Sequence, residues 1–331
     1  MTNQENSRDS VSLGNIREAS AFAPASVGNV AVGFDVLGHA LQGVGDTVTV
    51  RQTEKPGIHL AGVSGVLDSL PDDVENNTAL KAVQAMVDSL SLESGFSVEV
   101  DKGIPLGSGL GGSAASATAA VVAVNKMLKI PLQIPQLYPY ALAGERAASG
   151  SEHGDNVAAS LLGGLAIVGP HGQRYPMSIP APSRLRCIVV HPQIEIETRD
   201  SRATLKKGFS RELVVAQSAN LAAFIAGCFD KNMDAIAASL KDLLVEPQRA
   251  DSIPGFSAVK AAALEAGAVG CSISGSGPSV FAWFQAESAA TAGGEAMAEA
   301  FSDAGLATTV YSSPVNCPGA RLVSDTAGSA G

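Results

Sequence analysis

Four glycines fall within six positions, at Gly107, Gly109, Gly111 and Gly112, inside the stretch Gly103-Ile-Pro-Leu-Gly-Ser-Gly-Leu-Gly-Gly-Ser-Ala-Ala-Ser116. Glycine tolerates backbone conformations that a Cβ forbids, so this stretch is a loop whose amides can approach a ligand closely. Directly behind it, Ala114 to Val124 is alanine-rich and free of proline, which favours a helix. A glycine loop feeding a helix N-terminus is an anion site, because first-turn N–H groups lack intrahelical partners and the dipole is positive there. The anion expected is a nucleotide phosphate. A plain surface turn has the same composition, so the motif needs support from elsewhere in the chain.

Two familiar phosphate loops are excluded by what surrounds the glycines. Gly107-x-Gly109-x-x-Gly112 matches a dinucleotide-binding pattern, which requires an acidic residue about 20 positions on for the ribose. From Ser113 to Gly144 there is no Asp or Glu. A Walker A loop needs lysine after the last glycine, and Ser113 stands there instead. The loop must work through backbone amides and a hydroxyl, with metal supplied from elsewhere.

The 331 residues suffice for one large domain or two ordinary ones. A net charge of −10, with no Lys/Arg run longer than Lys206-Lys207, argues against nucleic acid as a partner. Cys187, Cys228, Cys271 and Cys317 have no zinc or redox spacing, and the five histidines form no ligand pattern. Reduced thiols in a cytoplasmic protein are expected. Met1 to Ser20 lacks the apolar core of a signal peptide. The uncharged run Ile104 to Asn125 is too rich in Gly, Ser and Ala to be read as a membrane span.

Strands are expected at Ala21–Ala23, Thr47–Gln52 and Phe96–Val100 from β-branched or alternating character. Leu80, Val83, Met86, Val87 and Leu90 have helical spacing across Thr78–Leu90. The helix behind the glycine loop should end near Lys129, and another runs from Pro135 or Pro139 to Ala148. A strand at Leu165–Val168 precedes the Gly/Pro-rich stretch Gly169 to Pro182, where a domain boundary is expected. Beyond it the pattern predicts a strand at Arg186–Val190, then helices at Arg211–Cys228, Met233–Leu244 and Ala258–Ala266. Strand, turn and strand then lead to Phe284, with a helix at Glu287–Ala304 and a strand at Thr308–Tyr311. Mixed elements in both halves imply two α+β domains, over residues 21–180 and 181–320, with tails at 1–20 and 321–331.

Two further segments have the same small-residue character: Pro24-Ala-Ser-Val-Gly-Asn-Val-Ala-Val-Gly-Phe-Asp-Val-Leu-Gly38, and Gly275-Ser-Gly-Pro-Ser279. Each alone could be a turn between strands. All three in this order resemble the GHMP small-molecule kinases. The first is similar to the opening Pro-Ala-Ser-x-x-Asn-x-x-x-Gly-Phe-Asp of the homoserine-kinase subgroup. The second resembles the group's nucleotide loop, and the third its C-terminal glycine motif. Glu145, His153-Gly-Asp-Asn156, Thr198-x-x-x-Arg202 and Glu246-Pro-x-Arg249 also match that subgroup, so the resemblance covers roughly residues 20 to 320. Val27-Gly28, Ala31 and Gly112 depart modestly from the pattern.

The resemblance implies a two-domain fold: an N-terminal domain like ribosomal protein S5 and a C-terminal ferredoxin-like domain. It implies ATP and Mg2+ as cofactors, a small alcohol as substrate, and a homodimer. ATP would lie along Pro105, Leu106, Gly107, Ser108, Gly109, Leu110, Gly111, Gly112, Ser113 and Ala114, with Asn77 as a guess for the adenine. Ser113 and Glu145 are the implied magnesium ligands, although an N-cap and a solvated carboxylate would read the same. Homoserine is a zwitterion; Arg202 and Arg249 are implied for its carboxylate, Asp35 for its ammonium, and Asn29, His153 and Thr198 for its placement. Asp35 could otherwise be a turn residue and the arginines surface ion pairs. Asn156 stands where related kinases carry an aspartate base, so it would orient the hydroxyl, with Asp155 as the rival base. Another kinase of the group, or a non-catalytic ligand sensor, remains the alternative.

Overall fold

The computed structural model describes residues 11–149, 154–169 and 175–323 of the 331-residue chain. The first half runs β1 (Glu18–Gly28), β2 (Leu37–Thr53), β3 (Ile58–Gly65), α1 (Thr78–Leu90), β4 (Gly95–Lys102), α2 (Gly112–Met127), α3 (Tyr138–Ser149), α4 (Asp155–Leu162), β5 (Leu165–Ile167) and β6 (Met177–Ile179). The second runs β7 (Arg186–Pro192), α5 (Thr198–Ala203), α6 (Arg211–Asp230), α7 (Met233–Ser239), α8 (Glu246–Arg249), α9 (Phe256–Glu265), β8 (Gly270–Ile273), β9 (Val280–Phe284), α10 (Glu287–Asp303), β10 (Thr308–Pro314) and β11 (Arg321–Leu322).

The larger sheet has the order β11-β1-β2-β4-β3, with β5 and β6 extending from the N-terminal half of β2. Val48 and Val50 of β2 are fully buried while Thr47 and Thr49, which alternate with them, are half-exposed, the pattern of a strand with one face on a core. That face is covered by α2, packed in turn by α1, α3 and α4. α2 is buried nearly all round, from Ala114 to Asn125, because alanine lets neighbouring elements approach closely. The smaller sheet, β10-β7-β9-β8, is antiparallel throughout and packs on α9 and α10 through Phe256, Met297, Phe301 and Phe284. Helices and strands are mixed in both halves of the chain.

The sheets meet where β10 lies beside β2. There the Gln42 N–H donates to Ser313 Oγ at 2.8 Å, and Trp283 Nε1–H donates to His39 Nε2 at 3.2 Å. His39 Nδ1 lies 3.0 Å from the Ala40 carbonyl, so the ring is neutral with its proton on Nδ1. Burial pushes its pKa down to about 4.

Several expectations need correction. β1 and β2 are far longer than the short strands expected, and β3, α4, α5 and α8 were not anticipated. The helix expected to reach Leu244 stops at Ser239, because the Asp242 carboxylate gathers the N–H groups of Leu244, Val245 and Glu246 into a turn that starts α8. Part of the presumed tails is held in place: Leu13 bridges Leu128, β1 already begins at Glu18, and β11 pairs with β1.

Candidate active site

The glycine loop adopts the backbone that its composition permits. Gly107, Gly109 and Gly111 have φ of 57°, 73° and 68°, in the left-handed region. At Gly111 a Cβ would also lie 2.3 Å from Ser26 Oγ and 2.9 Å from Asn156 Oδ1, so those side chains would have to shift to admit one. α2 begins at Gly112 without a side-chain cap, so its first-turn donors remain available.

The loop is held from three sides by residues distant in sequence. The Ser26 N–H donates to Leu110 O at 3.0 Å, and the Ile196 N–H to Gly107 O at 3.0 Å. From the third glycine segment, Ser274 Oγ donates to Gly109 O at 2.8 Å and Ser279 Oγ to Ser108 O at 2.6 Å. Beneath it lies a buried ion pair, Lys102 with Asp46. Lys102 Nζ also donates to Gly112 O at 3.1 Å and Ser116 Oγ at 3.0 Å, while Asp46 Oδ1 accepts the Gly103 N–H at 3.1 Å. Isolated polar residues within apolar strands carry no periodic signal, so no reading of spacing would find this pair.

A cavity of about 420 Å³ opens over the loop. Pro105 through Ser113 line it, together with Glu145, Asn29, Asp35, Asp155, Asn156, Thr198, Arg202 and Arg249. Two expected residues fall elsewhere. Ala114 is fully buried within α2 and does not line the cavity. Asn77 caps α1, its Oδ1 accepting from the Ala79 and Leu80 N–H groups and its Nδ2 donating to Pro71 O. An asparagine before a helical run is a cap by preference, and here capping uses both ends of the amide. His153 lies outside the described residues.

Glu145 and Ser113 face the cavity at the loop-to-helix junction. Burial raises the Glu145 pKa to about 7, a hydrogen bond from Ser113 offsets part of that, and the Asp155 charge adds to it. Such a carboxylate is stabilised in its charged form by an added cation.

At the other end of the cavity, Asn29, Val30, Ala31 and Asp35 have φ of 68°, 43°, 55° and 60°. A run of non-glycine residues in this region stores strain and needs outside support. Asp155 Oδ2 accepts the Asn29 N–H at 3.0 Å, Asn29 Oδ1 accepts the Asp35 N–H at 3.0 Å, and Asn29 Nδ2 donates to Gly275 O at 2.8 Å. From the second half of the chain, buried Gln217 of α6 donates to Val32 O at 2.9 Å and accepts the Leu243 N–H at 2.9 Å. It thereby joins the strained loop to the segment leading into Arg249, a role no sequence pattern signals.

Asp35 is ion-paired with Arg202 at 2.6 Å, so the residues expected to take opposite ends of a zwitterion hold each other here. Arg249 is 3% exposed and donates to Gly275 O at 3.0 Å. The guanidinium carbons of Arg202 and Arg249 sit 5.1 and 5.5 Å from the Phe34 ring centroid. The Nε groups of both arginines are buried without a hydrogen-bond partner among the described residues. Burial, then the nearby Arg202 charge, lowers the Arg249 pKa to about 10. Arg202 and Arg249 crowd beside Asp35, and the Asp242 and Asp155 charges also act on Arg249, so this end of the cavity presents both signs of charge, as a small zwitterion would require.

Residues 77–164 match the family model of the GHMP kinases N terminal domain, and residues 220–303 that of GHMP kinases C terminal. Homoserine kinase from Xylella fastidiosa (strain M12) is 48% identical over 306 residues, spanning 92% of this chain and 94% of that protein. Homoserine kinase from Xanthomonas campestris pv. campestris (strain B100) is 48% identical over 308 residues, spanning 93% and 95%. The crystal structure of homoserine kinase from Cytophaga hutchinsonii superposes with a TM-score of 0.89 at 40% identity, covering 94% of this chain and 98% of that one. The glycine loop at the start of α2 and the charged pocket beside it thus occur in a chain that belongs to the homoserine kinase family of the GHMP kinases.

Proposed function

We propose that this protein transfers the γ-phosphoryl group of ATP to the side-chain hydroxyl of L-homoserine, giving O-phospho-L-homoserine for threonine biosynthesis. One observation carries the reading: a glycine phosphate loop and an Asp35/Arg202/Arg249 charge cluster line the same cavity. Homoserine offers a carboxylate for the arginines and an ammonium for Asp35, whereas mevalonate has no ammonium.

In the transfer the homoserine oxygen bonds to the γ-phosphorus, the bond to the β–γ bridging oxygen breaks, and ADP leaves. Such chemistry needs alignment and charge neutralisation more than covalent help. The loop amides and the α2 N-terminus would hold the phosphates. Asn156 Oδ1 is occupied by the Ser26 hydroxyl at 2.8 Å, leaving its Nδ2 as the donor for a substrate oxygen. An amide is no base at neutral pH, and Asp155 is engaged in holding the Asn29 backbone. The hydroxyl proton would leave to a γ-phosphate oxygen or to water.

Magnesium fits the donor set: a hydroxyl and a buried carboxylate are hard oxygen ligands, and Glu145 is a group that a cation would return to its charged form. Ser113 and Glu145 would hold it, and when bound it neutralises charge on the phosphate oxygens. We also place the enzyme in the cytoplasm as a homodimer; the four buried, unpaired cysteines suit a reducing compartment. ADP release measured with L-homoserine, mevalonate and galactose tests the function. Turnover with homoserine alone is expected. Turnover only with another alcohol would replace the substrate, and ATP binding without any turnover would make the protein a sensor.

A further inference from the structure

α6 exposes an apolar stripe that none of the described residues covers. Its inner side is fixed by buried Gln217, Phe224, Gly227 and Cys228. The outer pole carries Val215, Ala219, Ala222, Ala226 and Phe229, all exposed, with Val215 at 62% and Phe229 at 61%. Their spacing alternates four and three residues, the seam of a helix that packs against another helix. No charged residue interrupts Leu213 to Phe229, while Arg211 and Glu212 open the helix and Asp230 and Lys231 close it.

We infer that this face of α6 is the contact between two copies of the chain, with the two helices antiparallel about a two-fold axis at Asn220–Leu221. The proposal rests on the homodimer reading above and supplies its surface. The four inner stripe positions and the end charges are self-complementary under that operation, while Phe229 lies opposite Glu212. Ala219 of one copy faces Ala222 of the other, Val215 faces Ala226, and Arg211 meets Asp230. Small residues at the crossing allow the close interaxial approach of packed helices. Each copy offers the same patch, as an isologous interface requires.

The length and composition of α6 would also suit a membrane span, but its inner side is anchored in the protein. Lying on an anionic bilayer is disfavoured by the net charge of −10 and by the mixed charges at both helix ends. A different protein partner would give no reason for the two-fold self-match.

Sedimentation equilibrium on the full chain at micromolar concentration tests the proposal. Wild type is expected at twice the 33.4 kDa chain mass. Ala222→Glu, at an exposed position, should weaken self-association roughly hundredfold by burying unpaired carboxylates at the axis, with an unchanged circular dichroism spectrum. Arg211→Asp and Asp230→Arg should each weaken it by roughly tenfold, and the double variant should restore it, as only an antiparallel register allows. A wild-type monomer overturns both the dimer and its surface, whether or not it floats with phosphatidylcholine/phosphatidylglycerol vesicles. A dimer indifferent to Ala222→Glu leaves the homodimer standing and overturns this surface. Failure of the double variant to recover overturns the register.

Discussion

Arg249→Met is the substitution whose consequences the structure sets most closely. The Arg249 pKa is about 10, against an ordinary 12.5, from burial first and Arg202 second. At 1.36 kcal/mol per pKa unit, holding that charge costs about 3 kcal/mol, which a bound carboxylate would offset. Losing one charged hydrogen bond to the substrate costs about 1.5–3 kcal/mol, or roughly a 10- to 150-fold rise in KM for homoserine. Methionine fills similar volume, and Gly275 O keeps its bond from Asn29 Nδ2, so the ligand-free variant should melt no lower than wild type. Steady-state ADP release with homoserine and with 3-aminopropan-1-ol, which lacks the carboxylate, completes a thermodynamic cycle. The analogue should suffer less than about a threefold further change on Arg249→Met, since it has no group for the arginine to bind. An equal loss for both substrates, or an unchanged homoserine KM, would refute carboxylate recognition by Arg249. A fall in Tm would show instead that the residue is structural.

Protonation of His39 should part the two sheets. With a pKa of about 4 folded and 6.5 unfolded, the unfolded state binds more protons in that window, so stability is full above about pH 6.5 and falls as pH drops toward 4. At pH 5 the loss is about 2 kcal/mol; urea unfolding at pH 8 and pH 5 should show His39→Gln losing less than wild type by that amount, and equal losses would contradict it. Gln217→Leu strands Val32 O and the Leu243 N–H, each worth about 1–3 kcal/mol when buried unpaired. It should lower Tm and raise the homoserine KM several-fold while the ATP KM stays within about twofold; equal effects on both substrates would remove its positioning role. Glu145→Gln should weaken Mn2+ binding in the presence of ATP, read by electron paramagnetic resonance, at least tenfold if the carboxylate is a ligand. Unchanged Mn2+ affinity would eliminate it.

The glycine loop and the helix behind it were legible because their signals are local. Gly107, Gly109 and Gly111 occupy φ values that favour glycine, and Ala114–Val124 has high helix propensity with no breaker in it. Asn77 shows the limit of such reading: the same amide suits a ligand contact or a cap, and only the first turn of α1 settles the matter. α4 escaped notice although it carries Asp155 and Asn156, since eight residues after a glycine make too short a periodic window.

By itself, then, the sequence determined a mixed helix-and-strand chain, an anion-binding loop at a helix start, and a family pattern spread over its length. Tertiary structure decided which polar groups meet. Arg202 reaches Asp35 across 167 residues, Gln217 reaches Val32 across 185, and Trp283 reaches His39 across 244. A residue's own backbone preference acts over one turn or one strand. Those pairings depend on how two sheets and their helices pack, and each lone polar side chain in an apolar run acquires its partner only when that packing is complete.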